Sequence, residues 1–260
     1  METEKIIRSW EEPKYKCNKC QDRQLILFEK NGYLYAKRCD CRYTRITERL
    51  LEESGLDKQI QTMTFNSFIA STPLEIKMKK TAEEYLNALH NADENRWLFI
   101  GGNPGCGKTH LCTAVCGELI KMNIGVYYML WPEIVIQLKQ TMYARDSEYE
   151  KLINRCMNAP VLYIDDLFKK KHCSGPDFTE ADINIAFMIL NRRYYQNKPT
   201  IISCEWDLIK DLLPVDEGVF SRVYERCKDF MVFVDRNPAH NFRFKVQKKE
   251  DDENGISHSK

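Results

Sequence analysis

Eight consecutive residues, Gly102-Asn103-Pro104-Gly105-Cys106-Gly107-Lys108-Thr109, combine three glycines, a lysine and a hydroxyl at a spacing suited to phosphate. Glycine lets backbone N–H groups close around phosphate oxygens with no Cβ in the way. A helix starting directly after the loop adds a partial positive charge at the same point. In the pattern G-x-x-x-x-G-K-[ST], Lys108 reaches the β- and γ-phosphates and the Thr109 hydroxyl reaches magnesium. Cys106 occupies a variable position and contributes its backbone. The ligands implied are ATP and Mg2+. A second run, Val161-Leu-Tyr-Ile-Asp165-Asp166, ends an apolar strand on two carboxylates, at the strand tip where open parallel sheets bind ligands. Asp165 is placed to hold magnesium with Thr109, and Asp166 to orient the attacking water. The water-orienting position is usually Glu, so the shorter Asp166 implies slow turnover.

Phosphoryl transfer also needs a group that reads the γ-phosphate and a cation for the transition state. Glu205, just past the apolar run 200–204, stands where a sensor on a neighbouring strand would sit. Arg222 and Arg226 lie four residues apart on one helix face. They read either as arginine fingers reaching a neighbouring subunit's nucleotide or as a solvated face paired with Glu225 or Asp229. Arg243 is a third such cation. Lys169-Lys170-Lys171-His172, followed by Phe178, reads either as a loop that grips a nucleic-acid backbone and stacks on a base or as a solvated surface loop. Lys139, Tyr143 and Arg145 admit the same two readings.

Cys17-x-x-Cys20 and Cys39-x-Cys41 offer four soft ligands, as a tetrahedral structural zinc requires. Between the pairs, 25–28 and 33–36 are apolar runs joined by Asn31-Gly32, the signature of a tight hairpin that would bring the pairs together. Disulfides are the alternative, disfavoured in a reducing compartment. So small a module has too little core to fold alone, and Zn2+ would supply its stability.

The elements that must position these groups follow from periodicity. Residues 1–16 read as a polar tail, and a short helix bearing Ile46, Leu50 and Leu51 stops at Gly55. Phe65 and Phe68 are docking anchors in a connector. From about residue 77, helices and apolar strands alternate, which implies a mostly parallel sheet covered on both faces. Thr179-x-x-Asp182 reads as a capping box opening a helix with Ile183, Ala186, Phe187, Leu190 and Tyr194 on its buried face. A helical stretch is expected over 207–227. The domains expected are 1–55, a zinc-binding module; 56–76, a linker; 77–245, an α/β P-loop NTPase domain of AAA+/RecA-like type; and 246–260, a disordered charged tail. The 260 residues carry a net charge of +1, which neither announces nor excludes nucleic acid. No apolar run is long enough for a membrane span and the N-terminus lacks a signal-peptide core, so a cytoplasmic protein is expected.

Together, 102–109, the Ile-Asp-Asp-Leu run at 164–167, 200–205 and Ser221-Arg222-Val-Tyr-Glu-Arg226 resemble bacterial and phage replicative-helicase loaders of the DnaC/DnaI type, ATPases of the AAA+ class. Thr64-Phe65-Asn-Ser-Phe68 and the cysteine module resemble the same family, so the likeness spans nearly all of 17–245. Glu205 departs from the Asn of many relatives, and Asp166 from the Glu of some. The resemblance implies an N-terminal module that grips a hexameric replicative helicase. It also implies an ATPase domain that binds single-stranded DNA and self-associates, with nucleotide at subunit boundaries. Rival readings are a transposition helper ATPase (IstB-like), a small-molecule kinase, and an ATP-binding adaptor that scarcely hydrolyses.

Overall fold

The computed structural model describes residues 15–39, 41–90, 96–144, 147–169, 179–235 and 237–243, which fall into two compact units divided between Arg49 and Leu50. Lys170, Lys171, His172, Phe178, Arg145, the Tyr143 side chain and the tail 246–260 lie outside the described residues.

The first unit is built on an antiparallel hairpin, β1 (Leu25–Lys30) and β2 (Tyr33–Arg38), paired from Leu25↔Arg38 to Lys30↔Tyr33. Asn31 and Gly32 both take positive φ, 53° and 76°, as the expected two-residue turn requires. The hairpin buries little of its apolar surface: Tyr33 and Leu34 are 70% and 72% exposed. Helix α1 (Cys41–Ser54) starts in this unit and ends in the next.

The second unit contains α2 (Asp57–Thr62), α3 (Pro73–His90), β3 (Leu98–Gly102), α4 (Lys108–Lys121), β4 (Val126–Leu130), α5 (Trp131–Ala144), α6 (Ser147–Asn158), β5 (Val161–Leu167), α7 (Glu180–Tyr195), β6 (Thr200–Cys204), α8 (Glu217–Cys227) and β7 (Met231–Val234). Its sheet runs β4-β5-β6-β3-β7, with every pairing parallel. Strand side chains alternate between two apolar layers, as the two-residue period dictates. Leu98 and Ile100 join the layer formed with Met78, Tyr85, Leu111 and Val115 of α3 and α4. Phe99, Leu162 and Ile164 join Trp131, Leu138, Ile189 and Phe220 on the opposite side. Both faces are therefore covered, and β6 separates the strand leading to the glycine loop from the strand bearing the carboxylates.

Three expectations need correction. Helix α3 begins at Pro73, inside the stretch read as connector, because Thr72 and Glu75 form a capping arrangement. Glu75 accepts from the N–H of Ser71 and Thr72 at 2.7 and 2.9 Å, and Thr72 Oγ1 accepts from Glu75 N. The Thr179–Asp182 box is present on α7, but the buried stripe is Ile185, Ala186, Ile189, Leu190 and Arg193, with Phe187 41% exposed. The helix is turned by Arg193, which is fully buried and takes the place of an apolar residue. Finally, 207–227 is not one helix: a π-helical turn at Leu208–Leu212 gives way at Pro214 before α8 starts on its Asp216 cap.

Candidate nucleotide site and cysteine cluster

The glycine loop is fixed from three sides. Gly102 has φ 111°, and a Cβ there would lie 2.0 Å from Val234 O, so no other residue fits so close to β7. Gly107 (φ 90°) starts α4 with a left-handed turn, and a Cβ would meet the Phe68 ring at 2.6 Å. Phe68 is buried and stands edge-on to His110 and Phe242. His110 Nε2 lies 3.1 Å from Ser67 Oγ and 2.9 Å from Thr64 O, which ties the connector to α4. A strap at 237–243 closes the third side. Asn103 Nδ2 donates to Asn237 O at 3.0 Å, and Phe242 N donates to Gly105 O at 3.0 Å. The sequence reading overlooked this strap. Its only local signal was the pair Asn237 and Asn241, each of which accepts an N–H from two residues on.

A cavity of about 370 Å³ opens over the loop, within the size range of small-ligand sites. Lys108, Thr109, Asp166, Lys169, Glu205 and Arg243 contribute to its wall. Lys108 is buried, and its ammonium donates to the carbonyls of Gly102 at 2.8 Å and Asn103 at 3.1 Å.

Asp165 is 3% exposed and is met by four hydroxyl groups. Thr109 donates at 3.1 Å, Tyr163 at 2.7 Å and Tyr128 at 3.0 Å, and Ser203 makes a shorter bond. Burial, reinforced by the neighbouring carboxylate, pushes both tyrosine hydroxyls well above their ordinary pKa, so both remain donors. Ser203 Oγ also accepts from Asp166 N at 2.9 Å. Tyr128, Tyr163 and Ser203 come from β4, β5 and β6, and the sequence reading named none of them. The Thr109–Asp165 hydrogen bond joins the glycine loop to the acid-bearing strand across β6.

Asp166 and Glu205 face each other across Lys169, whose Nζ lies 2.9 Å from a carboxylate oxygen of each. Partial burial favours the neutral amine, but hydrogen bonds to the two acids outweigh it and raise the Lys169 pKa. Lys169, read as part of either a nucleic-acid-gripping loop or a solvated surface loop, is held in the wall of the cavity. Lys139 is likewise engaged, 2.6 Å from Asp182 Oδ1 and 3.1 Å from Thr179 Oγ1. Burial alone would raise the Asp182 pKa, and Lys139 and Thr179 hold it below the usual carboxylate value.

The two arginines differ. Arg226 donates to Tyr194 O at 3.0 Å and Asn197 Oδ1 at 2.8 Å, with its guanidinium 4.4 Å from the Tyr194 ring centre. It is built into the α7–α8 packing of its own subunit, which corrects the expectation that it points outward. Arg222 lies 5.9 Å from the same ring and, among the described residues, otherwise bonds along its own helix, to Gly218 O. Of the acids read as their surface partners, Glu225 accepts from Tyr194 and Asp229 pairs with Arg96.

Comparison with known proteins decides the family. Residues 2–210 match the family described as IstB-like ATP binding protein. The chain belongs to that family. Among its relatives, the phage-like element PBSX protein XkdC of Bacillus subtilis (strain 168) is 32% identical over 226 residues, covering 85% of this chain and 83% of XkdC. The replicative helicase loader DnaC of Escherichia coli (strain K12) is 26% identical over 154 residues, 59% of each chain, so the match spans little more than half of that loader. A crystal structure of the DnaC helicase loader aligns with a TM-score of 0.55 at 22% identity, covering 69% of this chain and 99% of that one. The fold is thus the AAA+ P-loop arrangement: a five-stranded parallel sheet flanked by helices, carrying the glycine loop at the C-terminal tip of β3.

In the first unit, Cys17, Cys20, Cys39 and Cys41 place their sulfurs within 4.8 Å of one another. Cys17 and Cys39 are 3.8 Å apart, and Cys20 and Cys41 3.4 Å. Four thiolates around one zinc at about 2.3 Å would stand roughly 3.8 Å apart, so the cluster is compatible with zinc. A hydrogen bond from the Cys20 N–H lowers the Cys17 thiol to about 7, whereas burial drives Cys41 up. Asp22 braces the knuckle, accepting from Cys17 N at 2.9 Å and pairing with Arg45 at 2.5 Å. Among the described residues, no helix is long and apolar enough to cross a membrane.

Proposed function

We propose that this chain is a magnesium-dependent ATPase that loads a hexameric DnaB-type replicative helicase onto single-stranded DNA. The observation that carries the ATPase reading is the Thr109–Asp165 contact at 3.1 Å, which joins the phosphate loop to the acid-bearing strand whose Asp166 lines the cavity. The helicase reading rests on the likeness to DnaC and on the four-cysteine unit.

In this reading the N–H groups of 102–109 and Lys108 bind the phosphate chain. Thr109 and Asp165 would hold Mg2+, which would neutralise charge on the phosphate chain. Tyr128, Tyr163 and Ser203 fix the Asp165 carboxylate so that it need not reorganise. Asp166 orients the attacking water and Glu205 reads the terminal phosphate. Arg222 serves as the finger toward a neighbouring copy, which puts nucleotide at subunit boundaries. The first unit forms the helicase-binding module and the second the AAA+ ATPase domain, followed by a charged tail at 246–260, in a cytoplasmic protein. Of the residues read as possible DNA contacts, Lys170, Lys171 and Phe178 keep that role, and Lys169 is assigned to the cavity wall instead.

Zn2+ on the four cysteines would hold the first unit together, since its hairpin has almost no core. Metal analysis of the purified chain should give about one zinc per molecule, lost in Cys39→Ser; a full complement retained by that variant would exclude the cluster as the site. The loader reading is tested by co-purification with a hexameric DnaB-type helicase, with and without ATP. An ATP-sensitive complex is expected. No complex under either condition, together with ATP-dependent binding to a transposase–DNA assembly, would favour the transposition helper, a reading that the family's IstB-like description keeps open.

A further inference from the structure

Lys169 lies at the end of a stretch of backbone shaped to deliver it. The pairing of β5 with β6 slips between Ile164 and Leu167, and Asp166 and Phe168 both adopt left-handed conformations, φ 55° and 59°. Such a conformation is uncommon for a bulky residue and persists only where the surroundings enforce it. Here the Phe168 ring is buried edge-on between Trp131 and Phe220, and Lys169 N donates to Asp166 O at 2.9 Å. The turn folds the Lys169 side chain back over the acids instead of outward.

The charges in that wall are unevenly partnered. Lys108 rests on neutral carbonyls, whereas Lys169 sits 2.9 Å from two carboxylates that are 18% and 21% exposed. While it does so, Asp166 Oδ2 is occupied by an ammonium and Glu205 is tied to it. A terminal phosphate carries up to two negative charges on one centre, as much as the two carboxylates together, and brings them to the ammonium as a single group of three acceptor oxygens. Arg243, which also lines the cavity, is exposed and among the described residues makes no such bridge.

We propose that Lys169 is a γ-phosphate reader that exchanges its two carboxylates for the terminal phosphate of a nucleoside triphosphate, thereby releasing Asp166 and Glu205. This rests on the ATPase reading above and adds a residue to it: the same ammonium restrains the water-orienting acid and reports that a triphosphate has arrived. A diphosphate has no group to draw it away, so discrimination between ATP and ADP should reside here.

The test is equilibrium titration of the full chain, in magnesium, with a fluorescent non-hydrolysable ATP analogue and with fluorescent ADP. Lys169→Ala should weaken the triphosphate about tenfold or more and leave ADP within about twofold. Lys169→Arg should keep most of the discrimination. Lys169→Gln, which preserves length and a donor, should behave like the alanine variant and guards against a folding defect, with thermal melting run in parallel. Equal losses for both nucleotides, or none, would overturn the role of Lys169. So would a loss confined to single-stranded DNA binding. A parent chain that binds neither nucleotide would bring down the ATPase reading, and this inference with it; a parent that binds both, with unaltered discrimination in the variants, sinks the inference alone.

Discussion

Asp166→Asn is expected to lower ATP turnover about 10²- to 10⁴-fold while ATP affinity stays within about threefold, because an amide cannot accept the water's proton. Asp166 supports little of the fold: its ion pair with Lys169 is part-exposed, and such pairs contribute at most about 1 kcal/mol. Steady-state hydrolysis and nucleotide titration on the same preparation separate the two effects. Turnover unchanged in the variant would remove Asp166 from the chemistry, and a parent with no turnover would favour an ATP-binding adaptor. The same assay sorts the arginines. Arg222→Ala should lose turnover in the assembled state and keep its melting temperature, whereas Arg226→Ala should lower the melting temperature, since its guanidinium holds Tyr194 and Asn197.

The largest stability effect is expected at Arg193. Its guanidinium is fully buried and donates to Thr200 Oγ1 and to the carbonyls of Cys156, Met157, Ala159 and Pro199. These bonds gather the end of α6 and the starts of β5 and β6 at the sheet edge opposite the nucleotide. Burial, partly offset by Tyr85 and Cys156, pulls the Arg193 pKa down to about 10, so it stays charged at neutral pH. Arg193→Met fills the space with an apolar chain and strands the carbonyls, each at about 1–3 kcal/mol before relaxation. A net loss of about 3–5 kcal/mol is expected, a fall in melting temperature on the order of 10 °C for a domain this size. Lys at this position should recover only part, because it lacks the planar fork. A melting temperature within about 2 °C of the parent would show that the site relaxes around the loss.

What was legible in the sequence was local. The glycine loop, the acid pair and the Asn-Gly hairpin turn each depend on a few consecutive residues, and each stands where the spacing put it. The four cysteines were also legible, since two short pairs flanking one hairpin have only one way to meet. What escaped depended on residues far apart in the chain. Tyr128, Tyr163 and Ser203 converge on Asp165 only after three strands align in register, and nothing in a single strand announces that convergence. The α7 face was misjudged because a stripe read from apolar residues alone leaves out Arg193, which is buried. Lys169 was read with its neighbours as one basic loop, although its three-residue spacing from Asp166 already hinted at a turn that brings it back. Asp166 and Phe168 in left-handed conformations broke the regular strand pattern at the point where the chemistry is placed, as functional sites often do.

The central claim is that a phosphate loop and a buried carboxylate act as one nucleotide site. Titration of the parent chain and of Lys108→Ala with labelled ATP, with and without magnesium, tests it most directly. The account requires saturable, magnesium-enhanced binding in the parent that is weakened at least ~30-fold in the variant, where a charge on the phosphates loses its buried partner. Parent and variant taking up ATP equally, or a parent that never saturates, would contradict it.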